Sequence, residues 1–245
     1  MALIHEFERS GNWLFKRRSW LPLLLVICGI VVMNYEDRQA IIFSSTKELI
    51  FLGISIFGEV LRIITVGHAP GNTSGRNTAA GQLADEINTT GIYSVIRHPL
   101  YVANFFMWLG PVLFLRSFWF TVVFILIYWL YYERIIFAEE QFLRRKFGIE
   151  YDEWSENVRA VIPGFRNYTP PRLRFSFKTV LRREYNSFLN IFIIFSALDI
   201  IRNYFLSGKF SITPLWIMLV AGAAIVWIII RAIHKRTQWL TVEGR

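Results

Sequence analysis

The chain has 245 residues, 54% of them hydrophobic, with 22 phenylalanines and a mean hydropathy of +0.38. A soluble domain of that length is rarely so apolar, so the composition points to a membrane protein. The single cysteine, Cys28, excludes disulfide frameworks and thiolate metal clusters, and the net charge of +9 raises the question of nucleic acid.

In chain order, residues 1–19 read as a short interfacial helix. Its apolar positions are Leu3, Ile4, Phe7, Trp13, Leu14 and Phe15, and Lys16-Arg17-Arg18 close it. A helix crossing about 30 Å of hydrocarbon needs roughly 20 apolar residues. Four runs approach that length, at 20–35 with its continuation, 49–66, 118–137 and 213–233, and two more are expected at 100–115 and 188–206. The fold class expected is therefore all-α, a polytopic integral membrane protein of about six transmembrane helices. The first run is too long and too aromatic at its flank for a cleavable signal peptide, so none is expected.

Between the second and third runs lies 66–91, rich in glycine and small polar residues. It is long enough for a cofactor-facing loop, although a plain linker would look the same. Gly110, Pro111 and Arg116 mark the turn of a hairpin between the third and fourth runs. Past residue 137, Phe137, Phe142, Leu143 and Phe147 alternate with charges at near-helical spacing. The fourth span should thus continue as an amphipathic cytoplasmic cap, ended by Gly148 and followed by a short helix near Glu150. Three segments follow: 1–66, 67–171 and 172–245, the last a basic connector with two further spans.

With the amino terminus inside, the segments 1–19, 67–98, 138–186 and 231–245 carry 20 of the 27 Lys and Arg residues. This is the positive-inside pattern. The charge is accounted for by topology and anionic headgroups, with no need of nucleic acid. The expected location is the inner (plasma) membrane, with the site described next facing the cytoplasm.

Arg97-His98-Pro99 stands at the threshold of the third span. Proline in the first helical turn sacrifices no hydrogen bond, and free N–H groups with a positive dipole end gather there. Arg97 and His98 either help that terminus hold an anion or simply anchor the span. Glu139-Glu140 leave the fourth span on the same membrane face, and a hairpin lets the two motifs meet. Adjacent carboxylates at a membrane exit are solvated, ion-paired with residues such as Arg144 and Arg145, or bound to a ligand. Glu59 and Arg62 lie one helical turn apart within the second span, as an ion pair or as substrate-binding groups. Asp199 and Arg202 repeat that spacing and read as structural.

These residues together carry a resemblance. "TTGIYSVIRHPLYVANF", then "EE" and "FGIEYDEW…VRAVIP", with Arg62 in the preceding span, resembles the isoprenylcysteine carboxyl methyltransferase and phospholipid methyltransferase superfamily from about residue 58 to 165. The resemblance implies an S-adenosylmethionine site enclosed by membrane helices and the cap. It implies that Tyr93, Arg97, His98, Pro99 and Tyr101 line the cofactor pocket, that Glu139 and Glu140 accept from ribose hydroxyls or the amino group, and that Tyr151 closes the lid. Arg62 and Arg159 become the expected anion holders for the acceptor. Ala103-Asn104 departs from the family pattern, where a small glycine is common, and 172–245 adds two spans.

Methyl transfer from a sulfonium needs alignment and desolvation more than covalent help, which suits a site with no triad. The acceptor expected is a membrane lipid or lipidated group, with an anionic oxygen favoured and no obligate protein partner. Isoprenylcysteine carboxyl or headgroup amine methylation, the latter with Glu59 or Glu140 as base, remains open. A membrane-embedded NADPH-dependent reductase and a small transporter are the readings from other classes.

Overall fold

The computed structural model describes residues 2–18, 21–35, 44–71, 73, 77–78, 81–82 and 84–245. The sequence also predicts a polar turn near 34–38 joining the first two runs; its residues 36–38, with parts of the 66–91 loop, lie outside the described residues. Eight helices occur among those described: α1 (Leu3–Arg17), α2 (Leu21–Tyr35), α3 (Ser45–His68), α4 (Pro99–Phe114), α5 (Phe118–Phe147), α6 (Ile149–Asn157), α7 (Phe177–Ser207) and α8 (Pro214–Arg236). A two-residue antiparallel ladder, β1 (Asn77–Thr78) with β2 (Gly81–Gln82), lies between α3 and α4, and a 3₁₀ turn at Gly91–Ser94 leads into α4.

Helices α3, α5, α7 and α8 are long and apolar enough to cross a membrane. The expected first and third spans are shorter, α2 having 15 residues and α4 having 16. At about 1.5 Å per residue, α4 reaches only about 24 Å. Pro99 opens it, while Leu115 and Arg116, the latter at φ 61°, turn the chain at its far end. Ser117 then caps α5 by accepting from the Phe120 N–H. α5 runs unbroken for 30 residues, about 45 Å, so it must project beyond the hydrocarbon, as the charge pattern past residue 137 requires. It stops at Gly148, whose φ of 56° favours glycine. The expected fifth span is part of α7, which starts at Phe177 and takes in the end of the basic connector.

α3 and α4 pack closely: a Cβ on Gly58 would lie 2.5 Å from the Ala103 carbonyl oxygen. The Ala103 departure therefore keeps a small residue at a tight crossing. α1 lies along α5, and α7 packs on both α3 and α8, so the three sequence segments share one helical assembly. The core is aromatic, with Phe195 stacked on Trp216 at 5.2 Å and Tyr128 on Tyr132 at 4.3 Å. Distant from the cap, Arg202 of α7 ion-pairs with Asp199 and, at 2.7 Å, with Glu48 of α3, which also accepts from Trp216. The structural reading of Asp199 and Arg202 fits this sealed cluster.

Candidate active site

The chain entering α4 is pinned by the segment that follows α6. Arg97 N–H donates to the Arg159 carbonyl at 2.9 Å, His98 N–H to the Ala160 carbonyl at 3.1 Å, and Gly164 N–H to the Val95 carbonyl at 2.9 Å. The Arg97 guanidinium then reaches over the end of α6, donating to the carbonyls of Ser155 and Val158. Arginine satisfies the orphan carbonyls of a helix end well. The cap is thus fastened to the start of α4 by backbone and side chain alike.

Across from this threshold stand the two glutamates of α5. Arg97 donates to Glu140 from Nε at 2.9 Å, with Nη2 in ion-pair contact at 2.8 Å, and His98 Nε2 lies 3.0 Å from the same carboxylate oxygen. Tyr101 donates to Glu139 at 2.7 Å and stacks against the His98 ring. The hairpin therefore brings Arg97, His98, Tyr101, Glu139 and Glu140 into one cluster.

A cleft of about 50 Å³ adjoins this cluster, lined by Tyr93, Arg97, His98, Pro99, Tyr101 and Glu139, with Trp154 from α6 and Glu86–Asn88 completing the wall. Glu140 does not line it, being turned toward Arg97 and His98. Tyr151 of α6 is fully buried, and burial, helped by the nearby Glu140 carboxylate, pushes its phenol well above the ordinary range. Its hydroxyl and the indole N–H of Trp154 have no hydrogen-bond partner among the described residues. Two orphaned polar atoms, aromatic faces, cations and carboxylates together suit a nucleoside bearing an amino-acid head.

On the other side of Leu100 and Tyr101 lies a larger cavity of about 690 Å³, which those two residues also line. Its polar end holds Arg18, Arg62, Asn104, Arg183, Glu184 and Ser187, and its apolar walls include Met107, Trp108, Pro111 and Ile191. Leu23 and Ile193 line it while also being exposed, so it opens sideways at α2 and α7.

Of the two readings of Glu59 and Arg62, a direct ion pair between them is not formed. Arg62 instead grips Glu184 of α7, Nε to Oε2 at 2.8 Å and Nη2 to Oε1 at 3.1 Å, while Nη1 donates to Asn104 at 2.6 Å. Glu59 is buried behind Ser187, which donates to it at 3.1 Å, and does not line the cavity. Arg159 is not brought to Arg62: its side chain is exposed and lines neither space, and only its carbonyl serves the site. Sequence reasoning missed Glu184, Asn104, Arg183 and Trp154. A faint signal existed in a carboxylate standing alone within the basic connector, and in Asn104 where the family pattern is broken.

The sequence pattern of the family described as Phospholipid methyltransferase matches residues 49–150, from α3 to the start of α6. A protein of Oryza sativa subsp. indica named "Probable protein-S-isoprenylcysteine O-methyltransferase" is 31% identical over 131 residues, covering 51% of this chain and 68% of that protein. The chain belongs to the isoprenylcysteine and phospholipid methyltransferase superfamily. It is a methyltransferase. The protein-S-isoprenylcysteine O-methyltransferase of Schizosaccharomyces pombe is 34% identical over 114 residues, covering 46% of this chain and 48% of its own. That of Saccharomyces cerevisiae is 31% identical over 140 residues, covering 56% and 58%. No solved structure matches the chain significantly. Within the matched segment of this methyltransferase fall Glu59, Arg62, Tyr93, Arg97, His98, Pro99, Tyr101, Glu139 and Glu140. Tyr151, Arg159 and all of α7 fall beyond it.

Proposed function

We propose that this methyltransferase uses S-adenosylmethionine to methylate an anionic oxygen, a carboxylate or phosphate, on a membrane lipid or lipidated acceptor. One observation carries the reading: Leu100 and Tyr101 form a wall common to the cleft beside His98 and Glu139 and to the amphipathic cavity beside Arg62. A donor in the first and an acceptor in the second would be parted only by that wall. Leu100 or Tyr101 must therefore move aside for the acceptor oxygen to reach the methyl group, whose bond to sulfur breaks as the bond to oxygen forms. The cofactor would supply a methyl group already activated on sulfur. The protein's part is then to hold, align and exclude water.

His98, Glu139, Tyr93 and Trp154 would contact the cofactor, and Arg97 with Glu140 would fix the cap over it. The cleft of about 50 Å³ must widen to take a molecule of that size, with the wall at Glu86–Asn88 or Trp154 moving outward. A lipid would enter through the lateral opening at Leu23 and Ile193, its chain along the apolar walls and its head at the arginines. The O-methyltransferase names of the relatives support an oxygen acceptor. An amine acceptor would want Glu59 or Glu140 as a base, yet Glu59 lies buried behind Ser187 and Glu140 is held by Arg97 and His98.

The test is incubation of the purified protein with labelled S-adenosylmethionine and total membrane lipid. A labelled carboxyl methyl ester or methyl phosphate is expected; a base-stable labelled amine headgroup would overturn the oxygen reading. The charge asymmetry supports a cytoplasm-facing cleft in the plasma membrane. In a Cys28→Ser background, a cysteine at Glu156 should resist an impermeant thiol reagent added to intact cells, and its labelling would refute this orientation.

A further inference from the structure

The acceptor site is built around an ion pair that the reading above does not explain. Arg62 faces the cavity, yet its fork already holds the Glu184 carboxylate edge-on, at 2.8 and 3.1 Å. Bidentate capture of a carboxylate or phosphate is the interaction a guanidinium makes best. Glu184 thus occupies the edge of Arg62 that an anionic acceptor would use. A pair that only ties helices together can be sealed, as Arg202 is with 7% of its side chain exposed. Arg62 retains 22%, and both it and Glu184 line a cavity of about 690 Å³. Glu184 comes from α7, outside the segment matched by the family pattern.

Resting on the methyl-transfer reading for the acceptor's chemistry, we propose that Glu184 determines acceptor specificity as an internal carboxylate that competes for Arg62 and is displaced by the incoming anion. Charge is conserved at the fork when one anion replaces another, and Asn104 holds the opposite nitrogen throughout. Arg183, the preceding residue on α7, lines the same cavity and keeps positive charge beside the displaced Glu184. Only a head that accepts from both Nε and Nη2 recovers the bonds lost from Glu184. Neutral heads cannot, so α7 converts a general arginine site into one selective for oxyanions.

Binding rather than turnover tests this, which keeps it separate from the reaction. Hexadecyl phosphate, a single-chain anionic amphiphile, is titrated into protein in a neutral detergent and followed by tryptophan fluorescence, since Trp108 lines the cavity. Glu184→Gln keeps the side-chain shape but removes the competing charge, and should tighten binding about tenfold. Combining it with Arg62→Gln should abolish the gain. Should Glu184→Gln prove unstable, Glu184→Asp, too short to span both nitrogens, is expected to show the same tightening. Looser or unchanged binding in a folded Glu184 variant would overturn the exchange. Tighter binding without methyl transfer to any lipid would uphold the exchange and sink the proposed reaction.

Discussion

Two arginine–carboxylate clusters join α3 to α7, and they are built in opposite senses. Near the cap the arginine is on α3 and the acid on α7, as Arg62 and Glu184; toward the other end the acid is on α3 and the arginine on α7, as Glu48 and Arg202. Each arginine has an acid three residues before it, Glu59 and Asp199. Asp199 pairs with Arg202, whereas Glu59 turns to Ser187. Asp199 also accepts from the Thr213 N–H at 2.7 Å and its hydroxyl at 2.9 Å, so the second cluster sets the start of α8 as well. The same sequence spacing thus yields a sealed clamp in one place and a pair facing a cavity in the other. What separates them is the surroundings: the Phe114 ring lies against Arg202 and Trp216 donates to Glu48, while the cavity keeps Arg62 open.

The largest expected effect tests the open member. Arg62→Leu should lower kcat/KM for methyl transfer about 100-fold or more, because it strips an oriented charge from the acceptor. Cofactor affinity should stay near wild type, and Arg62→Lys should restore only part of the activity, lacking the planar fork. Kinetics on purified variants decide this, and near-normal turnover by Arg62→Leu would make both clusters structural.

The sealed member should respond in stability instead. Arg202→Leu leaves Glu48 and Asp199 buried without their cation, and breaking such a pair costs about 3–5 kcal/mol. Unfolding in detergent measures it. Cofactor affinity of the protein that remains folded should be unchanged, since the cluster touches neither the cleft nor the cavity.

How far these regions were legible in the sequence follows the same division. The all-helical membrane architecture was readable, because runs of apolar residues and one-sided charge are local or additive signals. So was the meeting of Arg97-His98 with Glu139-Glu140, since a hairpin returns the chain to its starting side. The Arg62–Glu184 contact, spanning 122 residues, has no spacing signature at all. The early start of α7 was hidden by Lys178, Arg182, Arg183 and Glu184, which make its first turns read as connector. The length of α4 was legible, since its apolar run 100–115 and the helix both have 16 residues; the structure shifts it by one, starting at Pro99 and giving Leu115 to the turn.

A smaller effect probes the cleft shared by the two halves of the hairpin. His98→Ala removes one charge-assisted contact to Glu140 and the ring stacked on Tyr101. S-adenosylmethionine binding should weaken by about 1.5–3 kcal/mol, roughly tenfold or more, with folding retained. Calorimetry reads the change, and unchanged affinity in both His98→Ala and Glu140→Ala would dissolve the proposed pocket.

The smallest expected effect falls on Arg159. The resemblance made it a partner of Arg62 in holding the acceptor, whereas the structure leaves its side chain exposed and uses its backbone. The Arg159 carbonyl accepts from Arg97 N–H at 2.9 Å, and this bond survives any substitution that keeps the local backbone extended. Arg159→Leu should therefore change methyl transfer by no more than about twofold, within the range of ordinary surface substitutions. Arg62→Leu and Arg159→Leu would then differ by some two orders of magnitude although the family resemblance implies one role for both. A loss in Arg159→Leu as deep as that of Arg62→Leu would show that the cap swings this side chain inward over the acceptor. In that case the pair facing the cavity would be a trio, and the exposed arginine would belong with Arg62 instead of with the surface.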